Sequence, residues 1–309
     1  NNGHCDIVVA GKGIVRVYMQ DENGAFTLVE NAVPVTAQVP RGIAVFDGDF
    51  DGILDLYIAS YEGNYHAAMG VGTPDVVLRG NGDGTFEDVA EAWNFTSDEL
   101  GFCGRGLCTV DYDSDGRTDI HVSNYRLARN QLWRNVGTQD APRFEQCASA
   151  PWFGGEKRDV GVVGEDLGIQ GRMATYEEDG YNYYGHSIGS AFGDLDNNGY
   201  MDHIVANLAH PRFVKLGFSD LSRVYMNTGK TFVDNSFKAG VTFRERHSGP
   251  LMADLNNDGK LDMIMSSGQR HFVSQCFEGN GDGSFSDVSW KAGALAQSSM
   301  SHAALDFDL

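Results

Sequence analysis

The stretch Asp111-Tyr112-Asp113-Ser114-Asp115-Gly116-Arg117-Thr118-Asp119 packs four carboxylates into nine residues around one glycine. Without a counter-charge, carboxylates this close repel and raise one another's pKa. The same frame recurs at Asp47–Asp55, Asp194–Asp202 and Asp254–Asp262. In all four loops, oxygen-bearing side chains fall at positions 1, 3, 5 and 9, with glycine at 6. The chain also starts with what reads as the second half of such a loop (Asn2, Gly3, Asp6). It ends with the first half of another (Asp306, Asp308).

Internal repetition decides the fold. Each loop runs into a short apolar strand, as in Ile7–Ala10, Leu56–Ala59, Ile120–Ser123, His203–Ala206 and Met263–Ser266. A strand also precedes each full loop, and a glycine stands five residues before the first aspartate: Gly42, Gly106, Gly189 and Gly249. Further on comes a polar hairpin turn followed by phenylalanine, at Gly80–Phe86, Asn227–Phe232 and Gly279–Phe285. Looser copies lie at Asp21–Phe26 and from Asn135 to Phe144. Asn-Gly and Asp-Gly supply the positive φ angles that tight hairpins require. One unit is therefore strand, acidic loop, strand, connection, strand, hairpin, strand, repeated at roughly 50-residue intervals. A lone four-stranded antiparallel sheet cannot bury both faces, whereas radially packed copies can. The expected fold is an all-β β-propeller, with units near 1–40, 41–100, 101–150, 187–245 and 246–297, and a further one starting at 298–309. The first aspartates lie 64, 83, 60 and 52 residues apart, and the longest interval marks a Gly- and Tyr-rich insertion at 151–186. No helical period is evident beyond a turn or two near Glu87–Trp93.

Oxygens at positions 1, 3 and 5 of a tight loop converge, and a carbonyl at 7 and a carboxylate at 9 can close the shell. Such a hard-oxygen set suits Ca²⁺, which takes six to eight oxygens at about 2.3–2.6 Å; Mg²⁺ demands a stricter octahedron. The expected ligands are Asp47, Asp49, Asp51, Ile53 and Asp55; Asp111, Asp113, Asp115, Arg117 and Asp119; Asp194, Asp196, Asn198, Tyr200 and Asp202; Asp254, Asn256, Asp258, Lys260 and Asp262. Ile53, Arg117, Tyr200 and Lys260 contribute through their carbonyls. Asn2, Asp6, Asp306 and Asp308 belong to the partial loops, giving about four to five ions in all. An EF-hand shares the first six positions but needs Glu at position 12. Ile58, Val122, Val205 and Met265 stand there, which excludes it. The four full loops carry fourteen aspartates, so four Ca²⁺ would take the formal charge from −20 to about −12.

That net charge, from 23 Lys and Arg against 43 Asp and Glu, disfavours nucleic acid and anionic membrane surfaces as partners. No run of about 18 apolar residues occurs, so no membrane-spanning helix is expected. The first residues lack the basic region and apolar core of a signal peptide. They read as an interior point of a longer gene product or a processed end. None of the five cysteines forms a C-x-x-C pair. Cys103 and Cys108 could close a small disulfide or remain buried thiols. Asn94-Phe95-Thr96 fits an N-glycosylation acceptor.

Together these phrases resemble the FG-GAP/VCBS repeats of integrin α-subunit propellers and of bacterial proteins similar to cartilage acidic protein. The match is densest at Gly189–Phe232 and His247–Gly293; Asn130–Asn135 and Ala206–Pro211 resemble the bacterial branch. The resemblance implies a propeller, typically seven-bladed, secreted or on the cell surface (the periplasm being a further setting), with structural loop calcium. This chain has five hairpin phrases, and its two end fragments do not join in frame. The expectation is a window of a larger wheel.

Residues just before each inner-strand glycine should lie on the face opposite the loops. They are Arg41, Arg105, His186 and His247, with His302 at the matching end of its strand. Arginine and histidine there could receive an anionic ligand or pair with local carboxylates. Tyr181, Tyr183 and Tyr184 precede the same face, in keeping with recognition or with plain packing. No nucleophile elbow, H-E-x-x-H or phosphate loop is present. The expected role is adhesion, recognition or assembly with a protein or glycan at the cell surface. The alternative is a polysaccharide lyase or hydrolase using the Arg/His/Tyr face.

Overall fold

The computed structural model describes residues 3–35, 37, 39–61, 73–95, 103–125, 130–147, 187–208, 221–241, 247–268 and 273–293. Contacts divide the chain into two compact units. One holds Asn1–Asp111, Gly116–Val122 and Gln131–Cys147; the other holds Tyr112–Asp115, Ser123–Asn130 and Ala148–Leu309.

In the first unit, β1 (Ile7–Gly11), β2 (Ile14–Gln20) and β3 (Phe26–Val29) form a three-stranded sheet. Two four-stranded sheets follow. They are β4 (Pro40–Phe46), β5 (Asp55–Ser60), β6 (Val76–Gly80) and β7 (Phe86–Asp88), then β8 (Gly104–Val110), β9 (Asp119–Asn124), β10 (Gln131–Asn135) and β11 (Phe144–Gln146). The second unit holds β12 (Ser187–Gly193), β13 (Asp202–Asn207), β14 (Arg223–Asn227) and β15 (Phe232–Asp234). It also holds β16 (His247–Ala253), β17 (Asp262–Ser267), β18 (Gln275–Gly279), β19 (Phe285–Asp287) and the one-turn helix α1 (Ser289–Ala292). Each sheet is a meander in chain order, as the blades of a β-propeller are. The first copy has three strands among the described residues, in keeping with a sequence that begins partway through an acidic loop.

Second strands such as Asp55–Ser60 and Asp202–Asn207 are buried at every position. A strand covered on both faces reads as a continuous apolar run rather than an alternation. One core joins Phe46, Tyr57, Trp93, Ile120, Trp133 and Phe144 between the second and third sheets. Another joins Ile204, Val224, Met263, Met265, Phe277 and Phe285 between the last two.

The inner-strand glycines have a steric cause. A Cβ on Gly42 would press on the carbonyl of Arg105, and one on Gly189 would stand 2.8 Å from that of Ser248. Neighbouring first strands come too close there for a side chain. The ladder also slips at the same places, between Pro40 and Gly42, Ser187 and Gly189, and His247 and Gly249, so these three first strands each carry a bulge.

Near Glu87–Trp93 the chain finishes β7 and then makes one turn, with Trp93 N–H donating to Val89 O at 2.8 Å. No disulfide joins Cys103 to Cys108, and Cys103 is buried. Asn94 Nδ2 donates to Phe144 O at 2.8 Å, so the nitrogen that would carry a glycan holds a backbone carbonyl instead. The insertion 151–186 lies outside the described residues.

Candidate metal loops

All four full loops are built alike. Position 6 is a glycine at positive φ: Gly52 (78°), Gly116 (84°), Gly199 (89°) and Gly259 (81°). Its amide donates to the position-1 carboxylate at 2.8–3.1 Å in every copy. Position 4 is left-handed as well, in Phe50, Ser114, Asn197 and Asn257, with φ between 57° and 61°. The sequence reading missed this. Asparagine at position 4 in the last two loops was the available signal, since it tolerates that conformation better than most residues. Position-5 side chains accept the amide two residues on, as in Asp51 Oδ1 from Ile53 N (2.7 Å) and Asn198 Oδ1 from Tyr200 N (2.8 Å).

These turns gather the carboxylates. Ligand oxygens of Asp47, Asp49 and Asp55, of Asp111, Asp113 and Asp115, and of Asp194, Asp196 and Asp202 lie within 4.8 Å of one another in each set. Two buried oxygens in these sets, Asp47 Oδ1 and Asp196 Oδ1, have no hydrogen-bond partner. A desolvated anionic oxygen without a donor is costly, and a bound cation would satisfy it.

Position 9 does more than was expected of it. Asp55, Asp119, Asp202 and Asp262 are buried. In three copies both carboxylate oxygens accept backbone amides. Asp55 takes Gly48 N (2.7 Å) and Gly80 N (2.9 Å); Asp202 takes Leu195 N and Asn227 N (both 2.7 Å); Asp262 takes Leu255 N (3.0 Å) and Gly279 N (2.9 Å). Asp119 accepts Asn135 N at 2.8 Å. This residue ties the acidic loop to the hairpin after the third strand. Burial pushes the Asp55 and Asp202 carboxyls up to about 6, against the pull of those amides and with help from neighbouring aspartates. Glycine at 80 and 279 is forced, because a Cβ there would strike the carbonyl of Leu54 or Leu261. Where asparagine stands instead, at Asn135, its side-chain Nδ2 donates to Gly48 O in the preceding sheet at 3.1 Å.

On the other side, Arg41 and Arg105 converge on Tyr61, their guanidinium carbons 5.6 and 4.5 Å from its ring centre. His247 departs from the expectation of a ligand face. It is fully buried, with Nδ1 3.1 Å from Ser222 Oγ and Nε2 3.0 Å from Gln275 Oε1. Both ring nitrogens are committed to the fold, and burial lowers its pKa. Tyr181, Tyr183, Tyr184, His186, His302, Asn2, Asp306 and Asp308 lie outside the described residues. Asp6 is exposed, and its Oδ1 accepts Gln20 N at 2.9 Å.

Residues 1–58 and 254–309 match the FG-GAP-like repeat. Cartilage acidic protein 1 of Xenopus tropicalis is 25% identical over 329 residues, covering 100% of this chain and 45% of that protein. The Homo sapiens protein of the same name is 26% identical over 286 residues, covering 85% and 37%. The chain thus spans less than half the length of these curated relatives. Among solved structures, an Agrocybe aegerita lectin specific for non-reducing terminal N-acetylglucosamine aligns with a TM-score of 0.47 and 18% identity, over 92% of this chain and 61% of that one. Rhamnogalacturonan lyase YesW aligns with a TM-score of 0.41 and 14% identity, over 88% and 49%. With four acidic loops in one frame and meander sheets behind them, the chain is built of sheets like β-propeller blades, and its first and last segments resemble the FG-GAP-like repeat.

Proposed function

We propose that this chain is part of an extracellular or cell-surface recognition module whose acidic loops hold calcium in a structural role. Its partner would be a protein or glycan. The observation that carries the reading is the pair of buried, partnerless carboxylate oxygens, Asp47 Oδ1 and Asp196 Oδ1, inside clusters of three carboxylates. Asp47, Asp49 and Asp55, Asp111, Asp113 and Asp115, and Asp194, Asp196 and Asp202 would hold the ions, with Asp254, Asn256, Asp258 and Asp262 as a fourth set. The ion would supply the positive charge that lets these carboxylates stay ionised in a half-buried turn. The all-oxygen donor set favours calcium over softer-ligand metals. A role in recognition is in keeping with relatives named for cartilage and with the absence of catalytic motifs in the sequence.

Thermal melting with and without chelator tests the metal. An ion present at a thousandfold over its Kd adds about 4 kcal/mol of stability per site. Chelation should therefore lower the Tm markedly, and Ca²⁺ should restore it at lower concentration than Mg²⁺. A melt indifferent to chelator sinks the calcium reading. For the catalytic alternative, incubation with acidic polysaccharides followed by assay for unsaturated or reducing ends should yield no product; turnover would replace the recognition role.

A further inference from the structure

The four loops differ in one respect that follows from the sheet behind them. In each four-stranded sheet, the fourth residue of the third strand stands opposite a partner on the fourth strand. The pairs are Arg79 with Glu87, Arg134 with Glu145, Met226 with Val233, and Glu278 with Ser286. In the second sheet this position delivers a cation. Arg79 Nε lies 2.5 Å from Asp49 Oδ2, Nη2 lies 2.8 Å from Asp51 Oδ2, and Nη1 lies 3.2 Å from Glu87 Oε1. One guanidinium thus bridges loop positions 3 and 5, two of the expected calcium ligands. Their side chains are only 5% and 15% exposed, so the attraction is weakly screened. Arginine cannot shed its charge to make way, and these pairs raise its pKa further. Glu87 anchors the far side of the fork.

The Asp194–Asp202 loop is the counter-case. Met226 and Val233 replace the Arg–Glu pair, and no ion pair among the described residues reaches Asp194 or Asp196. Asp196 Oδ1 is buried without a partner here, as Asp47 Oδ1 is in the other loop, so the arginine on positions 3 and 5 is what distinguishes the two. The last loop has a cation too, Lys260 Nζ at 3.3 Å from Asp258 Oδ2. That pair is 41% and 32% exposed, engages one carboxylate, and is easily released to water.

We propose that Arg79 is a built-in counter-ion of the Asp47–Asp55 loop, which lets that loop keep its shape without metal and makes it bind calcium more weakly than the Asp194–Asp202 loop does. This rests on the calcium reading above. Occupancy is then graded along the chain. A loop that needs the ion for its shape fills first, and one already neutralised by arginine fills only at higher calcium.

The test is calcium titration by calorimetry on the full chain, for the natural sequence, Arg79→Met and the reciprocal Met226→Arg/Val233→Glu. The natural protein should show a tight and a weak class of sites. Arg79→Met should tighten one weak site by about tenfold or more, since affinity follows the net ligand charge. It should also melt lower than the natural protein in chelator, and recover when calcium is added. The transplanted pair should weaken one tight site by a similar factor, and that arm decides if Arg79→Met does not fold. Calcium binding that neither variant changes overturns the role of Arg79 and leaves the calcium reading standing. No calcium binding by the natural protein removes both.

Discussion

Asp202 Oδ1 accepts the amide of Asn227 at 2.7 Å, and its other oxygen accepts Leu195 N at the same distance. A residue read as a metal ligand is therefore also a backbone clamp, and the two duties separate experimentally. With chelator present, Asp202→Ala strands two buried donors at about 1–3 kcal/mol each. A loss of roughly 2–5 kcal/mol is expected in denaturant unfolding, with Asp202→Asn falling between because it keeps one acceptor oxygen. A change under about 0.5 kcal/mol for the alanine variant would mean that the clamp carries no weight.

Two glycines that look alike in sequence should respond differently to alanine. Gly279 has no room for a Cβ, which would strike the Leu261 carbonyl. Gly259 has open space around its Cβ position but a φ of +81°. Backbone displacement at Gly279 should cost about 3 kcal/mol, and left-handed strain at Gly259 about 1–2 kcal/mol. Equal losses in parallel melts would argue that conformation, not space, governs both.

Asp75 gives a pH dependence away from the acidic loops. It accepts Tyr57 O–H (2.6 Å) and Ser60 N–H (2.7 Å), and burial raises its carboxyl from the usual 3.8 to about 6. Between those values the folded state binds more protons than the unfolded one, so stability falls as pH rises from about 4 to about 6. The full penalty, up to about 3 kcal/mol, is present above pH 6. Unfolding free energies measured across that range should be flatter in Asp75→Asn; an unchanged slope counts against the assignment.

His247 has the opposite sign. Burial lowers its pKa below 6.5, so the unfolded chain takes up the proton first and stability drops as pH falls through the unfolded value. His247→Gln, which cannot titrate, should lose that acid-side decline while leaving calcium binding unchanged. A His247→Gln protein with altered calcium affinity would tie this residue to the loops rather than to the fold.

Much of this architecture was readable because its causes are local. Glycine at position 6 is required by φ, and Asn-Gly or Asp-Gly hairpins by turn geometry, so both print directly on the sequence at Gly116, Gly199 and Gly283. The spacing Gly42 to Asp47 was visible, but its reason was not, because the neighbour that excludes a Cβ is the carbonyl of Arg105, 63 residues further on. Arg79 escaped for the same cause. Its partners Asp49 and Asp51 lie 28–30 residues back and are joined only when β6 pairs with β5. His247 looked like part of a ligand-receiving face because a sequence does not record that Ser222 and Gln275 meet its two nitrogens. The reading succeeded where one segment sets its own shape, and failed where a distant strand decides.

The bond from Asn135 Nδ2 to Gly48 O bears on how the chain emerges during synthesis. Its ends are 87 residues apart, so the carbonyl of Gly48 waits for its donor until a whole further sheet has left the ribosome. At roughly 5–20 residues per second that delay is about 4–17 seconds, far longer than a hairpin takes to close. The first acidic loop must survive that interval unlatched, and it is the loop that carries its own arginine.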